Sequence, residues 1–399
     1  MANVYTDAGT AAGLGGTVGS AGLVQKAYDR LVEFALRSQP LLRSVADKRP
    51  ARQAMPGSSV TLQIYNDMLT NKSSLTETTD PDSVALATPN QVTITLNEYG
   101  NAALVTRKLQ LFSLADVDPA VANIVAYNMA DSVDELAQDE LRNATNIIYG
   151  GSVTAEGSLA NADTLTAAKI RRAIAKLRSN KAVPRRGSMY WCGIHPEAAH
   201  DLRAETGSGS WRYPHEYQTN ENIWAGEIGA FEGAFFVETP RLRVSGTGAN
   251  IGSAVNIATA AGSITLDGIS TATVTTASAH GFSVGDFVTI AGATVTTGVN
   301  ATWQIATVPN STSFTFKTTL SGTVTTAAAT AQKKTKVYDT YIAGQQALAE
   351  AVAEEPHVVI GPVTDKLMRF RPIGWYGVLG FKLYRQEALF RLATGSSIA

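Results

Sequence analysis

Charge is scarce in this sequence: Lys, Arg, Asp and Glu make up 17% of 399 residues, against roughly a quarter in an average soluble protein. The two signs nearly cancel, 33 basic residues against 34 acidic, so no global field favours DNA, RNA or an acidic membrane surface. Sequence-specific nucleic-acid recognition is not expected. Cysteine is nearly absent. The single Cys192 forms no intrachain disulfide, which excludes a secreted disulfide scaffold and fits folding in a reducing cytosol. No apolar run reaches the roughly 18 residues of a membrane-spanning helix. Residues 1–25 lack the basic start and apolar core of a signal peptide, and no cleaved leader is expected.

Catalytic signatures are missing too. The chain has no GxSxG, HExxH, Walker or dinucleotide fingerprint. His195 and His200 lie five positions apart, which puts them about 140° apart on a helix rather than on one zinc-binding face. No catalytic residue, cofactor or metal site is read from the sequence, and Cys192 reads as a buried structural thiol.

What the chain has in quantity is apolar residues, 44%. Set against so little charge, they imply that other subunits cover much of the surface. Composition alone is equally compatible with a domain kept soluble by its hydroxyls. Residues up to about Ser20 are dominated by Gly, Ala and Thr and read as an arm. Leu23, Ala27, Leu31, Phe34 and Ala35 then recur at helical spacing up to Gln39-Pro40. Alternation predicts strands over Ser59–Tyr65 and Val92–Val105, separated by about 25 polar residues. A loop of that length fits a hairpin reaching outward to a partner, or a plain surface loop. A long helix is predicted next, with Asp116 and Asp118 as caps, Pro119 in the first turn, and a stripe of Val121, Val125, Met129, Val133 and Leu136 running on to about Ile148. Its length would be roughly 45 Å. Thr166–Ser179 reads as a second helix, with Ile170, Ala173, Ile174 and Leu177 inward and Lys169, Arg171, Arg172, Lys176 and Arg178 outward.

A short strand MYWCGI follows, then a helix opened by His195-Pro196, a loop with Trp211 and Trp224, and alternating turns and strands to Leu242. At Ser245 the composition changes. Up to Gln332 the only charged residues are Asp267, Asp286 and Lys317, and short alternating strands indicate a small all-β sandwich or barrel. Helical character is expected again at Gln345–Val352, followed by two or three strands. The β-module thus interrupts a larger domain.

Four stretches, in this order, resemble the major capsid proteins of tailed bacteriophages, the Hong Kong 97-like fold, in its actinobacterial-phage form. They are NEYGNAALVTRKLQLFS (97–113), CGIHPEAAHDLR, GEIGAFEGAFFVETPRL (226–242) and PIGWYGVLGFKLYRQEALFRLATGSSI near the end. The resemblance implies an α+β fold with a long spine helix, an extended β-hairpin loop and an inserted, immunoglobulin-like small β domain. Its divisions would be an N-terminal arm (1–22), a helix and connection (23–51), the extended loop (52–106), a peripheral domain with the spine helix (107–160), an axial domain (161–245), the inserted module (246–332) and a return through axial and peripheral domains (333–399).

The function so implied is mechanical. Copies would associate into pentamers and hexamers and close an icosahedral shell around double-stranded DNA. The partners would be identical copies, portal and scaffolding proteins, minor capsid or decoration proteins, and DNA by non-specific contact, with no membrane. Assembly would take place in the bacterial cytoplasm and the product would be the virion. Candidate contacts between subunits are Lys72, Glu77, Trp211, Trp224, Trp375 and Tyr376, the aromatics because such residues concentrate in interface cores, although core packing is an equal reading. Lys72 reads first as a solubilising charge, with a lysine–asparagine weld as the alternative. Arg171, Arg172, Arg185 and Arg186 are the candidates for facing DNA, or else line a solvated helix face. Two rivals stand beside this reading: an encapsulin-type nanocompartment shell, and a hydrolase or adhesin with a carbohydrate-binding β-module.

Overall fold

A computed structural model describes residues 40–50, 59–112, 117–206, 227–362, 367 and 369–398, with isolated positions omitted in the loops at 66–87, 261, 296–297, 323 and 327. The expected arm, the helix after it, Asp116, Trp211 and Trp224 lie outside the described residues. In chain order the elements are β1 (Ala46–Pro50), β2 (Ser59–Ile64), β3 (Asn90–Thr95), β4 (Asn97–Thr106), α1 (Arg107–Phe112), α2 (Val117–Arg142), β5 (Ile147–Tyr149), α3 (Ala167–Ser179), β6 (Tyr190–Ile194), α4 (Pro196–Ala204), β7 (Glu227–Phe231), β8 (Ala234–Glu238) and β9 (Val244–Ser245). The β-rich stretch follows with β10 (Asn250–Asn256), β11 (Ile264–Leu266), β12 (Thr271–Thr275), β13 (Phe287–Ala291), β14 (Thr294–Val295), β15 (Thr302–Asn310), β16 (Ser313–Lys317), β17 (Val324–Thr325) and β18 (Thr330–Lys334). The chain closes with β19 (Val337–Ala343), β20 (Leu348–Ile360), β21 (Phe370–Leu383) and β22 (Leu389–Thr394). The architecture is mixed α+β, mostly sheet with few helices.

Two compact units emerge. One contains Gly100–Met129 and His357–Tyr376; the other contains Ser38–Tyr99, Ala130–Pro356 and Gly377–Ala399. The larger is built on a seven-stranded sheet in the order β5-β22-β19-β6-β8-β7, with β9 on the end of β19. Alternation along β6 sends Tyr190, Cys192 and Ile194 to one face, where α3 and α4 cover them with Ile170, Ala173, Ile174, Leu177, Ala198 and Leu202. Trp191 goes to the other face and packs with Tyr341, Ala343 and Leu389 against Ala137 and Leu141 of α2. Burying a side chain of this size contributes about 1.5–3 kcal/mol, so this three-layer core is a major source of the unit's stability.

Local chemistry sets the element ends. After α3, Lys181 takes the left-handed conformation (φ 58°), while Ala182 N donates to Leu177 O and Lys181 N to Arg178 O, each at 3.0 Å. This is a Schellman stop made with lysine instead of glycine. At the head of α4, His195 Nδ1 accepts from Glu197 N at 3.3 Å, with Pro196 in the first turn. Between β7 and β8, Glu232 (φ 53°) and Gly233 (φ 90°) form a two-residue turn with both residues left-handed, the form whose twist matches a hairpin.

Four expectations change. The long helix ends at Arg142, not near Ile148, and its 26 residues span about 39 Å. The β-branched pair Ile147-Ile148 leaves the helix to pair in parallel with β22, and Asn146 Nδ2 donates to Gln386 O at 2.6 Å to hold the departure. Its buried face is also wider than the apolar stripe, because Asp134 and Gln138 are buried beside Val133, Ala137 and Leu141. The strand expected over Val92–Val105 is interrupted at Leu96, giving β3 and β4. Gln345–Val352 is not helical: Ala46–Pro50 pairs in parallel with Leu348–Val352, so sheet pairing overrides the helix propensity of Ala, Gln and Glu there.

The β-module forms a second seven-stranded sheet, β10-β18-β13-β15-β16-β12-β11. Register shifts in β15 curl it. The bridge Ile257↔Thr276 returns the end of β10 to the end of β12, so the sheet folds back on itself. Phe314, Phe316, Val274, Val288 and Ile290 fill the inside. Outside, the register aligns Thr265↔Thr273, Thr273↔Thr315 and Thr315↔Thr307 across four strands. Hydroxyls thus take the place of charges in wetting this surface.

Candidate functional site

Two features of the described chain bear on function: a set of exposed apolar residues, and partly buried ion networks that fasten residues 40–50 and tie Glu156 to β19 and β22. The first centres on the β2–β3 hairpin, paired in register from Ser59↔Thr95 to Ile64↔Asn90. The base of this hairpin is seated, since Ile94 is fully buried against Ala349 and Ala351. The described residues of the loop beyond it form no strand, and those up to Thr88 are exposed, among them Tyr65 (74%), Leu75 (71%) and Leu86 (74%). Single exposed apolar residues are ordinary, whereas contiguous exposed patches mark interaction surfaces. Lys72 and Glu77 are exposed on the same loop.

The smaller unit also carries exposed apolar residues, Leu104, Leu111, Ile124, Ile360 and Leu367. Trp375, expected as a contact residue, is only 5% exposed and donates from Nε1 to Asn128 Oδ1 at 2.9 Å. Its neighbour Tyr376 is half-buried. Trp375 is thus a structural residue of its own unit. A Cβ on Gly374 would sit 2.7 Å from Asn101 O, and one on Gly100 at 2.7 Å from Trp375 O, so these glycines permit the close approach of β4 and β21.

The basic candidates divide. Arg171 pairs with Glu232 at 2.6 Å, and Arg185 Nη2 donates to Ser44 O at 3.0 Å and pairs with Asp47 at 3.4 Å. Arg172 and Arg186 are exposed, the latter with its guanidinium 5.9 Å from the centre of the Phe235 ring.

One ion network fastens residues 40–50. Leu42 and Val45 are buried, Arg43 N donates to Asp134 Oδ1 at 3.1 Å, and the Arg43 guanidinium pairs with Glu350 at 2.7 Å and Glu355 at 2.6 Å. Burial works to lower the Arg43 pKa, but these two carboxylates raise it. Arg241 holds Asp131 and Asp134 from the far side. A second network lies under β19 and β22. Arg391 pairs with Glu156 at 2.9 Å and with Asp339 at 3.4 Å, and Arg142 joins Glu156 at 3.2 Å. Burial pushes the Asp339 carboxyl up to about 6 against the pull of Arg391. Burial also opposes the charge on Glu156, yet Thr247 and Arg391 hold its carboxyl below the usual range. These networks went unseen in the sequence because partners such as Arg43 and Glu350 lie 307 positions apart.

Elsewhere, burial pushes the Cys192 thiol well up and lowers the His195 pKa, and Tyr338 donates its hydroxyl to Glu197. All three serve packing or capping. Among the described residues no helix is long and apolar enough to cross a membrane, and no group of three or more His, Cys, Asp or Glu is placed to hold a metal ion.

A family model described as phage capsid protein matches residues 139–389. Solved structures with similar folds include the capsid of Ralstonia phage GP4, at 13% identity and TM-score 0.57, covering 93% of this chain and 95% of that one. The capsid of cyanophage P-SCSP1u is similar at 11% identity and TM-score 0.58, covering 96% of each, and Mycobacterium phage Che8 at 12% and 0.52, covering 93% and 97%. A comparison with curated proteins finds no match. The family match spans well over half of the chain, and the chain accordingly belongs to the phage capsid protein family, as a major capsid protein that forms the shell and is structural, not enzymatic.

Proposed function

We propose that the chain takes the Hong Kong 97-like arrangement, with residues 1–22 as arm, 52–106 as extended loop, 107–160 as peripheral domain around α2, 161–245 with part of the return as axial domain, and 246–332 as an immunoglobulin-like or similar insertion displayed outside. Copies join as pentamers and hexamers into an icosahedral shell that holds double-stranded DNA. The observation that carries this reading is the β2–β3 loop, whose Tyr65, Met68, Leu75, Val84 and Leu86 are exposed. Covering such residues on a neighbour adds about 25 cal/mol for each Å² of apolar surface buried, summed over every subunit of the shell.

Lys72 and Glu77 ride on that loop and meet the adjacent copy, Tyr376 supports the smaller unit's contact face, and Trp211 and Trp224 take part in neighbouring contacts. Arg172 and Arg186 lead the non-specific contact with packaged DNA, with Arg171 and Arg185 partly committed to their own chain. Portal and scaffolding proteins complete assembly in the host cytoplasm, and minor capsid or decoration proteins add to the finished virion. Expression of the chain with its scaffolding protein, followed by electron microscopy, tests the reading. Closed shells are expected from the intact chain and unassembled subunits from one lacking residues 66–89. Shells formed equally well without the loop would refute it.

A further inference from the structure

The β-module lies between β9 and β19, and its mounting differs from a tether. The rung Ser245↔Val337 belongs to the body, and the rung Asn250↔Lys334 belongs to the module. Between them Thr335 N donates to Ala249 O at 2.8 Å, so the entering and leaving chains stay hydrogen-bonded to each other throughout. Ala249 N donates to Leu159 O of the body, also at 2.8 Å. A Cβ on Gly246 would lie 2.3 Å from Phe287 Cβ, and one on Gly248 would lie 2.7 Å from Thr335 Cβ and 3.0 Å from Leu159 O. The two glycines therefore pack the stalk against the module on one side and the body on the other.

Charge closes the joint. Asp286, at the head of β13 and nearly buried, pairs with Lys333 of the module at 2.9 Å and with Lys336 of the stalk at 3.6 Å. Thr247 in the entering chain donates to Glu156. Glu156 in turn is held by Arg142 at the end of α2 and by Arg391 of β22. We infer that the module is a rigid strut whose direction is fixed by a stalk clamp centred on Glu156, which couples it to the end of α2 and to the central sheet. A flexible tether of a few residues would let the module sample many orientations; a hydrogen-bonded, ion-paired joint holds it in one. A contact made by the module is then transmitted to the elements that carry the shell.

The test uses spin labels on the full-length chain, diluted into unlabelled chain. Cys192 is fully buried, so introduced cysteines react selectively. The test pair is Ser311→Cys in the module with Ala175→Cys on α3, and the control pair is Ala175→Cys with Ala204→Cys, both on the body. Electron–electron resonance is expected to give the two pairs distance distributions of matching width. Glu156→Ala should broaden the test pair several-fold and leave the control unchanged. A broad test distribution in the otherwise native chain overturns the strut even if Glu156→Ala fails to fold, and a narrow one unaffected by Glu156→Ala overturns the clamp.

Discussion

The loop between β2 and β3 and the β-module both lie outside the central seven-stranded sheet, yet they cover their apolar residues in opposite ways. The module curls its sheet until Phe314 and Phe316 are fully buried and presents threonine rows outward. The loop leaves Leu75 and Leu86 exposed and has only the base of its hairpin seated on its own unit. One piece carries its core within itself. The other leaves apolar residues exposed, and the proposed partners for them are on a neighbouring copy. In a capsid protein the first is suited to projection and the second to grip.

The contrast is broken most severely at the loop. Leu75→Asp with Leu86→Asp places charge where apolar burial is required, and is expected to abolish shell formation while the subunit's circular dichroism and melting temperature stay unchanged. Sedimentation velocity reads the first and thermal denaturation the second. The module gives the mirror result. Phe316→Ala removes a ring stacked on Trp303 at 4.7 Å and should cost the module about 3–5 kcal/mol, seen as an early, separate unfolding step. Shells should still form.

A smaller effect comes from the network under the central sheet. Asp339 faces Arg391, Arg142, Glu156 and the Tyr341 hydroxyl, and burial lifts its carboxyl to about 6 from an ordinary value of 3.8. A carboxyl raised on folding favours the native state in its protonated form, so its contribution is fully present below the unfolded pKa and is lost as pH rises through about 6. Between pH 7 and pH 5 the native chain should therefore gain stability relative to Asp339→Asn, measured as the shift in denaturation midpoint of each. An equal shift in both proteins contradicts the assignment. Least of all should happen on Lys72→Ala, an exposed change expected to move folding stability by no more than about 0.5 kcal/mol. Native shells boiled in detergent should run as monomers with or without it; a ladder that Lys72→Ala removes would instead establish a covalent weld.

What the sequence disclosed follows the range of the interactions. The apolar spacing of α3, the His195-Pro196 start of α4, the β2 and β3 alternation and the change of composition at Ser245 are local signals, and each corresponds to an element of the structure. Gln345–Val352 misled because its Ala, Glu and Gln favour helix, whereas its conformation is set by β1, some 300 positions away. The end of α2 was missed for the same reason, being decided by pairing with β22. For the candidate site, the long polar loop was visible as a loop, but which of its residues stay uncovered depends on the rest of the fold. Trp375 looked like a contact residue by type and is buried on Asn128. The clamps around Glu156 and Arg43 join residues far apart in sequence and leave no local mark.

Amide hydrogen exchange over residues 65–89, compared between the isolated subunit and the closed shell, tests the central claim most directly. Fast exchange in the free subunit and strong protection in the shell is the predicted result. Equal protection in both, meaning that the loop is already covered by its own chain, would contradict the account.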